Sequence, residues 1–152
     1  MLLIKKIAVY INILNCSIIK YFAKELSRND INLTPEQYLV MDILWDAGVL
    51  SQQAIADVIQ KDKNSVTKFI DSLEKKGLVY RAVNKKDRRI NDIIVSEEGM
   101  KLKSKTTEVA INMMRNVLKD IKEEDLISFD KVMNQIKNNI DKADNSQPQE
   151  NA

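Results

Sequence analysis

Ile4, Ile7, Ile11, Leu14, Ile18 and Phe22 recur at steps of three and four, with Lys5, Lys6, Asn12, Asn15 and Lys20 between them. That spacing predicts a long amphipathic N-terminal helix. Its stripe needs a partner surface, either its own domain or a second copy of the chain. In Leu33-Thr34-Pro35-Glu36-Gln37-Tyr38, Thr34 is placed as N-cap, Pro35 at the first helical position and Gln37 as the far side of a capping box. Met41, Leu44 and Trp45 carry that helix to Gly48. Ser51 caps the next helix, with Ala54, Ile55, Val58 and Ile59 expected to point inward. Asp62 caps the one after, in which Val66, Phe69, Ile70 and Leu73 form the buried stripe and Gly77 ends the helix. Leu78 to Val83 and Ile90 to Val95 are β-prone runs around a polar turn, which predicts a hairpin. Ser96 starts a helix expected to reach about Ile121 through Met100, Val109, Met113 and Val117. Leu126, Phe129, Met133, Ile136 and Ile140 mark a last helix, and Asp144 to Ala152 reads as a polar, disordered tail.

The pattern therefore gives a mainly α fold with a small β-hairpin. A chain of 152 residues with three Gly and two Pro fits one such domain with added oligomerisation helices. The expected boundaries are 1–30 for an N-terminal dimerisation helix and 31–99 for the helix-turn-helix and hairpin. Residues 100–143 are expected to be C-terminal dimerisation helices, and 144–152 the tail.

The net charge of +2 conceals an asymmetry. From Lys61 to Asn91 there are ten basic and four acidic residues, a local +6, and the remainder is −4. A basic centre in a mildly acidic chain fits a local polyanion site. One Cys allows no internal disulfide, and with no His a structural metal site and an imidazole-activated nucleophile are disfavoured. Neither an enzyme nor a bound cofactor is expected, and the compartment expected is the cytoplasm. Asn12 and Asn15 interrupt the apolar N-terminal run, which reads as too short and too polar for a membrane span.

The candidate chemistry lies between Ser51 and Gly99. At about 100° per residue, Asn64, Lys68 and Asp71 fall opposite the buried stripe of their helix, with Ser65 and Thr67 on the flanks. Lys63, Asn64, Ser65, Thr67 and Lys68 are hydrogen-bonding groups and cations at the N-terminal half of a helix, suited to base edges and phosphates in a major groove. The dipole of that helix would add attraction for phosphate. Ala56 sits where two helices of a helix-turn-helix must approach closely. The hairpin tip Lys85-Lys86-Asp87-Arg88-Arg89 places an Asp two residues before an Arg, so that the carboxylate can fix the direction of the guanidinium. An arginine on a thin loop suits a minor groove.

The stretch from Ser51 to Gly99 resembles the winged helix-turn-helix of the MarR (multiple antibiotic resistance regulator) family. The resemblance rests on Leu73-Glu74-Lys75-Lys76-Gly77-Leu78-Val79, the wing Asp87-x-Arg89 and the exit Val95-Ser96-x-x-Gly99, and extends over roughly residues 5 to 142. It implies a homodimer built from the first and last helices on a pseudo-palindromic operator in double-stranded DNA. It places Asn64, Ser65, Thr67 and Lys68 in the major groove and Arg89, oriented by Asp87, in the minor groove. Gln60 and Lys61 depart from the family at the turn, where Gln60 is expected to accept a left-handed backbone.

Regulators of this family often respond to small aromatic ligands, and the resemblance places Tyr38, Met41 and Trp45 near that pocket. Plain core is the preferred reading of those three. One branch of the family senses peroxides through a cysteine on the first helix. For Cys16 a structural or interfacial role is preferred, because Asn15 and Ser17 supply no cation to activate it. The function expected is a homodimeric DNA-binding transcriptional regulator, a repressor releasable by a small aromatic ligand. The alternative is a winged-helix protein-interaction module without DNA binding.

Overall fold

The computed structural model describes residues 2–146. Along the chain run α1 (Leu2–Arg28), α2 (Pro35–Ala47), β1 (Val49–Ser51), α3 (Gln52–Ile59), α4 (Lys63–Lys75), β2 (Val79–Val83), β3 (Asn91–Val95), α5 (Glu97–Lys101), α6 (Lys103–Val117) and α7 (Glu123–Asn145). The helix starts follow from the caps. Thr34 Oγ1 accepts from the Gln37 backbone N–H while Gln37 Oε1 accepts from that of Thr34, completing the capping box. Ser51, Asp62 and Ser96 each accept a backbone N–H three residues on.

The chain divides after Met114 into two compact units. The first has its core where α2, α3, α4 and the sheet meet. Val40, Met41, Leu44, Ile55, Val66, Ile70, Leu73 and Ile93 have no exposed surface. Leu26, near the end of α1, is equally buried. The sheet has three antiparallel strands in the order β1-β3-β2, with Leu50 opposite Ile93 and Arg81 opposite Ile93 on the other side. The expected hairpin is thus β2 and β3, and the structure adds β1.

Gly77 ends α4 with φ +71°, and a Cβ on Gly99 would overlap the carbonyl oxygen of Leu78 and crowd Val95. Gly99 therefore lets the start of α5 lie against the chain entering β2. Gln60 adopts the left-handed conformation expected of it, φ 55° and ψ 46°, and its side chain donates to the Asp57 carbonyl.

Four sequence expectations change. The helix expected from Ser96 to about Ile121 is two, because the chain turns at Leu102, whose N–H bonds to the Gly99 carbonyl in a tighter i to i−3 pattern. It also ends at Val117, before a turn at Asp120 with φ 63°. Val58 is exposed rather than inward. Asp144 and Asn145 close α7, and the expected tail lies, from residue 147 on, outside the described residues. Finally, Asn12 and Asn15 do not shorten α1. It is continuous over 27 residues and is the one helix among the described residues long and apolar enough to cross a membrane.

Most of α1 is uncovered. Ile4, Ile7, Ile11 and Leu14 are exposed, whereas Phe22 and Leu26 are buried. In the second unit, α7 leaves Phe129, Met133, Ile136 and Ile140 exposed.

Candidate nucleic-acid interface

α4 is fixed by its apolar face and its two ends. Val66, Ile70 and Leu73 are buried, Phe69 is half-buried, and Asn64, Lys68 and Asp71 are exposed on the opposite side. At the N-terminus Asp62 accepts the Ser65 backbone N–H at 2.9 Å and the Ser65 hydroxyl at 2.7 Å. These bonds, the backbone one first, hold the Asp62 carboxyl below the ordinary carboxylate range. The chain's own carboxylate thus occupies the anion-favouring end of α4, which offsets the attraction expected there for a phosphate.

The outer residues divide by how free their polar atoms are. Thr67 Oγ1 donates to the Lys63 carbonyl at 2.9 Å and accepts from Gln52 Nε2. Ser65 is engaged by Asp62. Lys63, Asn64 and Lys68 are exposed. Lys63, Asn64 and Lys68 therefore present the reaching groups, while Thr67 and Ser65 are held by neighbours. Gln52, at the start of α3, is a participant that sequence reasoning missed, since nothing in its local pattern marks it.

The wing loop joins β2 to β3. Asn84 Oδ1 accepts from the backbone N–H groups of Lys86 and Asp87 at 2.9 and 3.1 Å, and its Nδ2 donates to the Asp92 carboxylate. The Ile90 carbonyl closes the loop by accepting from the Asn84 N–H at 2.9 Å. On this frame Arg89 donates from Nε to Asp87 Oδ1 and from Nη2 to Oδ2, both at 3.1 Å, and its backbone N–H adds a third bond at 3.0 Å. The guanidinium, then that N–H, hold the Asp87 carboxyl below its ordinary range. Arg89 remains 90% exposed, so its direction is set while its outer face is open to solvent. Lys85, Lys86 and Arg88 are exposed beside it. Asn84 is a second missed residue, although an Asn that bonds the backbone two and three residues on is a recognisable turn former.

Arg81, also unflagged by the sequence, links wing to helix. From β2 its Nη2 donates to Asp71 Oδ1 at 2.7 Å and its Nη1 to Glu74 Oε2 at 3.0 Å, both on α4.

Tyr38, Met41 and Trp45 are packed side chains. Met41 has no exposed surface, and Trp45 is buried with Nε1 donating to the Gly99 carbonyl at 3.0 Å. Tyr38 meets Phe22 edge-on at 4.8 Å and Trp45 at 6.4 Å between ring centres. Burial, with Asp42 beside it, pushes the Tyr38 phenol up to about 12. A cleft of about 450 Å³ lies elsewhere, lined by Ala23 and Ser27 of α1, by Asp30 to Thr34 and by Lys76. Cys16 is an exposed free thiol on α1.

Residues 33–90 match the sequence model of the MarR family. The HTH-type transcriptional repressor MdtR of Bacillus subtilis is 37% identical over 67 residues, 44% of this chain and 43% of its own length. The organic hydroperoxide resistance transcriptional regulator of the same organism is 28% identical over 79 residues, 52% of this chain and 54% of its own. The chain thus spans about half the length of these curated relatives. Among solved structures, a cysteine variant of E. coli MarR complexed with operator DNA has the same fold, with a TM-score of 0.81 at 17% identity over 88% of this chain and 94% of the other.

Proposed function

This chain carries a MarR-family winged helix-turn-helix domain, and we propose that it is a homodimeric DNA-binding transcriptional regulator, a repressor on a pseudo-palindromic operator. The observation that carries this reading is the wing tip, where Asp87 aims a guanidinium that is otherwise open to solvent. An ion pair this exposed adds little to stability, so orienting the guanidinium is the effect the pair can have. Lys63, Asn64 and Lys68 of α4 supply groups for base edges and phosphates in the major groove, and Arg89 enters the adjacent minor groove.

Residues 31–99 form the DNA-binding part, flanked by dimerisation segments at 1–30 and 100–143. The exposed apolar stripes of α1 and α7 suit a second copy of the chain. The dimer then sets two α4 helices about 34 Å apart, one turn of DNA. Repression is supported by the relative named a repressor. Release by a small aromatic ligand would act by favouring a dimer with the wrong spacing, which requires unequal affinity for the two states.

Selection of bound duplexes by the full chain from a random pool tests the proposal. The expected result is an enriched inverted repeat with half-sites one helical turn apart. Recovery of no enriched sequence would favour a protein-interaction module instead.

A further inference from the structure

We infer that Arg81 is a positioning residue for DNA binding: it engages both carboxylates of α4, offsetting one of their two negative charges, and ties that helix to the wing. The inference rests on the reading of α4 and the wing as the DNA-binding surface.

The chemistry of α4 creates the need. Its outer face begins with Asn64 and Lys68 but continues with Asp71, and Glu74 follows one turn later. Two unpaired carboxylates on a helix lying in a groove would face phosphate oxygens of like sign. Both are instead engaged by one guanidinium, at 2.7 and 3.0 Å. Arg81 is the most buried of the three, 23% exposed against 50% for Asp71 and 43% for Glu74. Its Nη1 and Nη2 are turned to α4, which sets Arg81 apart from the open Arg89. The planar fork reaches two carboxylates at once, which an ammonium does less well. Because Arg81 stands on β2 opposite Ile93 of β3, the same contact fixes where the hairpin sits against α4.

The test is a double-mutant cycle in the full chain, with the labelled duplex recovered by wild-type selection as probe and fluorescence anisotropy as readout. Arg81→Gln is expected to weaken binding by about tenfold or more. Adding Asp71→Asn and Glu74→Gln to it is expected to restore binding to within about twofold of the Asp71→Asn/Glu74→Gln variant. The slope of affinity against salt stays near the wild-type value, because no phosphate contact is lost. An equal loss in both backgrounds, with a slope smaller by about one, would make Arg81 a direct phosphate contact and overturn the inference. Unchanged binding of Arg81→Gln overturns it too. If Arg81→Gln melts below the assay temperature, Arg81→Lys takes its place. It is expected to bind more weakly than wild type, and to show no loss when Asp71 and Glu74 are neutralised. Wild-type protein is the control that separates the two readings: if it retains no duplex, the DNA-binding reading fails and this one falls with it.

Discussion

Asp87 and Arg89 meet through two parallel hydrogen bonds of 3.1 Å at the tip of the wing, and the carboxylate of the first sets the direction of the guanidinium of the second. Asp87→Asn separates orientation from charge. It removes one negative charge from a basic loop, so charge alone predicts tighter DNA binding. Orientation predicts the opposite, because an amide offers one acceptor oxygen where the fork needs two. The expected result is weaker binding of the selected duplex by about tenfold with folding unchanged. Tighter binding would contradict the role given to Asp87.

On α4, Asn64 is exposed whereas the Thr67 hydroxyl is engaged by Lys63 and Gln52. Asn64→Ala is expected to relax sequence preference at one or two operator positions, at a cost of about 1–3 kcal/mol per lost base contact. Thr67→Val and Gln52→Ala are expected to weaken binding evenly across sequences, since they loosen the helix rather than remove a reading group. Binding measured against single-base operator variants distinguishes the two patterns. A base-specific effect of Thr67→Val would return Thr67 to the reading face.

How much of this was legible in the sequence depended on distance along the chain. The caps at Thr34, Ser51, Asp62 and Ser96, the left-handed Gln60 and the pairing of Asp87 with Arg89 involve residues two or three apart, where local rules apply. Strand β1 was missed because three residues after a glycine show no alternation, and its pairing of Leu50 with Ile93 depends on the tertiary fold. The clamp from Arg81 to Asp71 and Glu74 was missed for the same reason, since it exists only once the hairpin packs on α4. Thr106 of α6 is fully buried, with no hydrogen-bond partner for its hydroxyl within the chain, a placement that also depends on tertiary packing. The stripe of α1 was legible as apolar from its spacing of three and four residues.

Gly99→Ala tests the packing that seats α5. The added methyl meets the Leu78 carbonyl, a backbone atom that cannot rotate away. The expected loss is about 2–3 kcal/mol, at the upper end of ordinary overpacking, read as a lower urea midpoint at constant slope. A change under about 0.5 kcal/mol, the range of an ordinary surface substitution, would mean that the turn at Leu78 yields freely.

The apolar stripe of α1 is tested by Ile7→Glu with Ile11→Glu. Both side chains are exposed in the single chain, so the variant is expected to keep its helical content. Light scattering should show wild type at twice 17.5 kDa and the variant at that mass. A variant that remains dimeric would remove α1 from the interface. Wild-type protein that floats with anionic lipid vesicles and stays monomeric would show that a bilayer, rather than a second copy, covers this helix.

The grip of the chain on DNA is expected to depend on the minor-groove arginine that the wing presents. That dependence is tested most directly by titrating Arg89→Ala against the selected duplex across a range of salt concentrations, with light scattering on the same samples. The expected result is a dimer of unchanged mass whose affinity falls by at least about tenfold and whose salt slope is smaller by about one. An Arg89→Ala dimer that binds as wild type does, with the same slope, would contradict it.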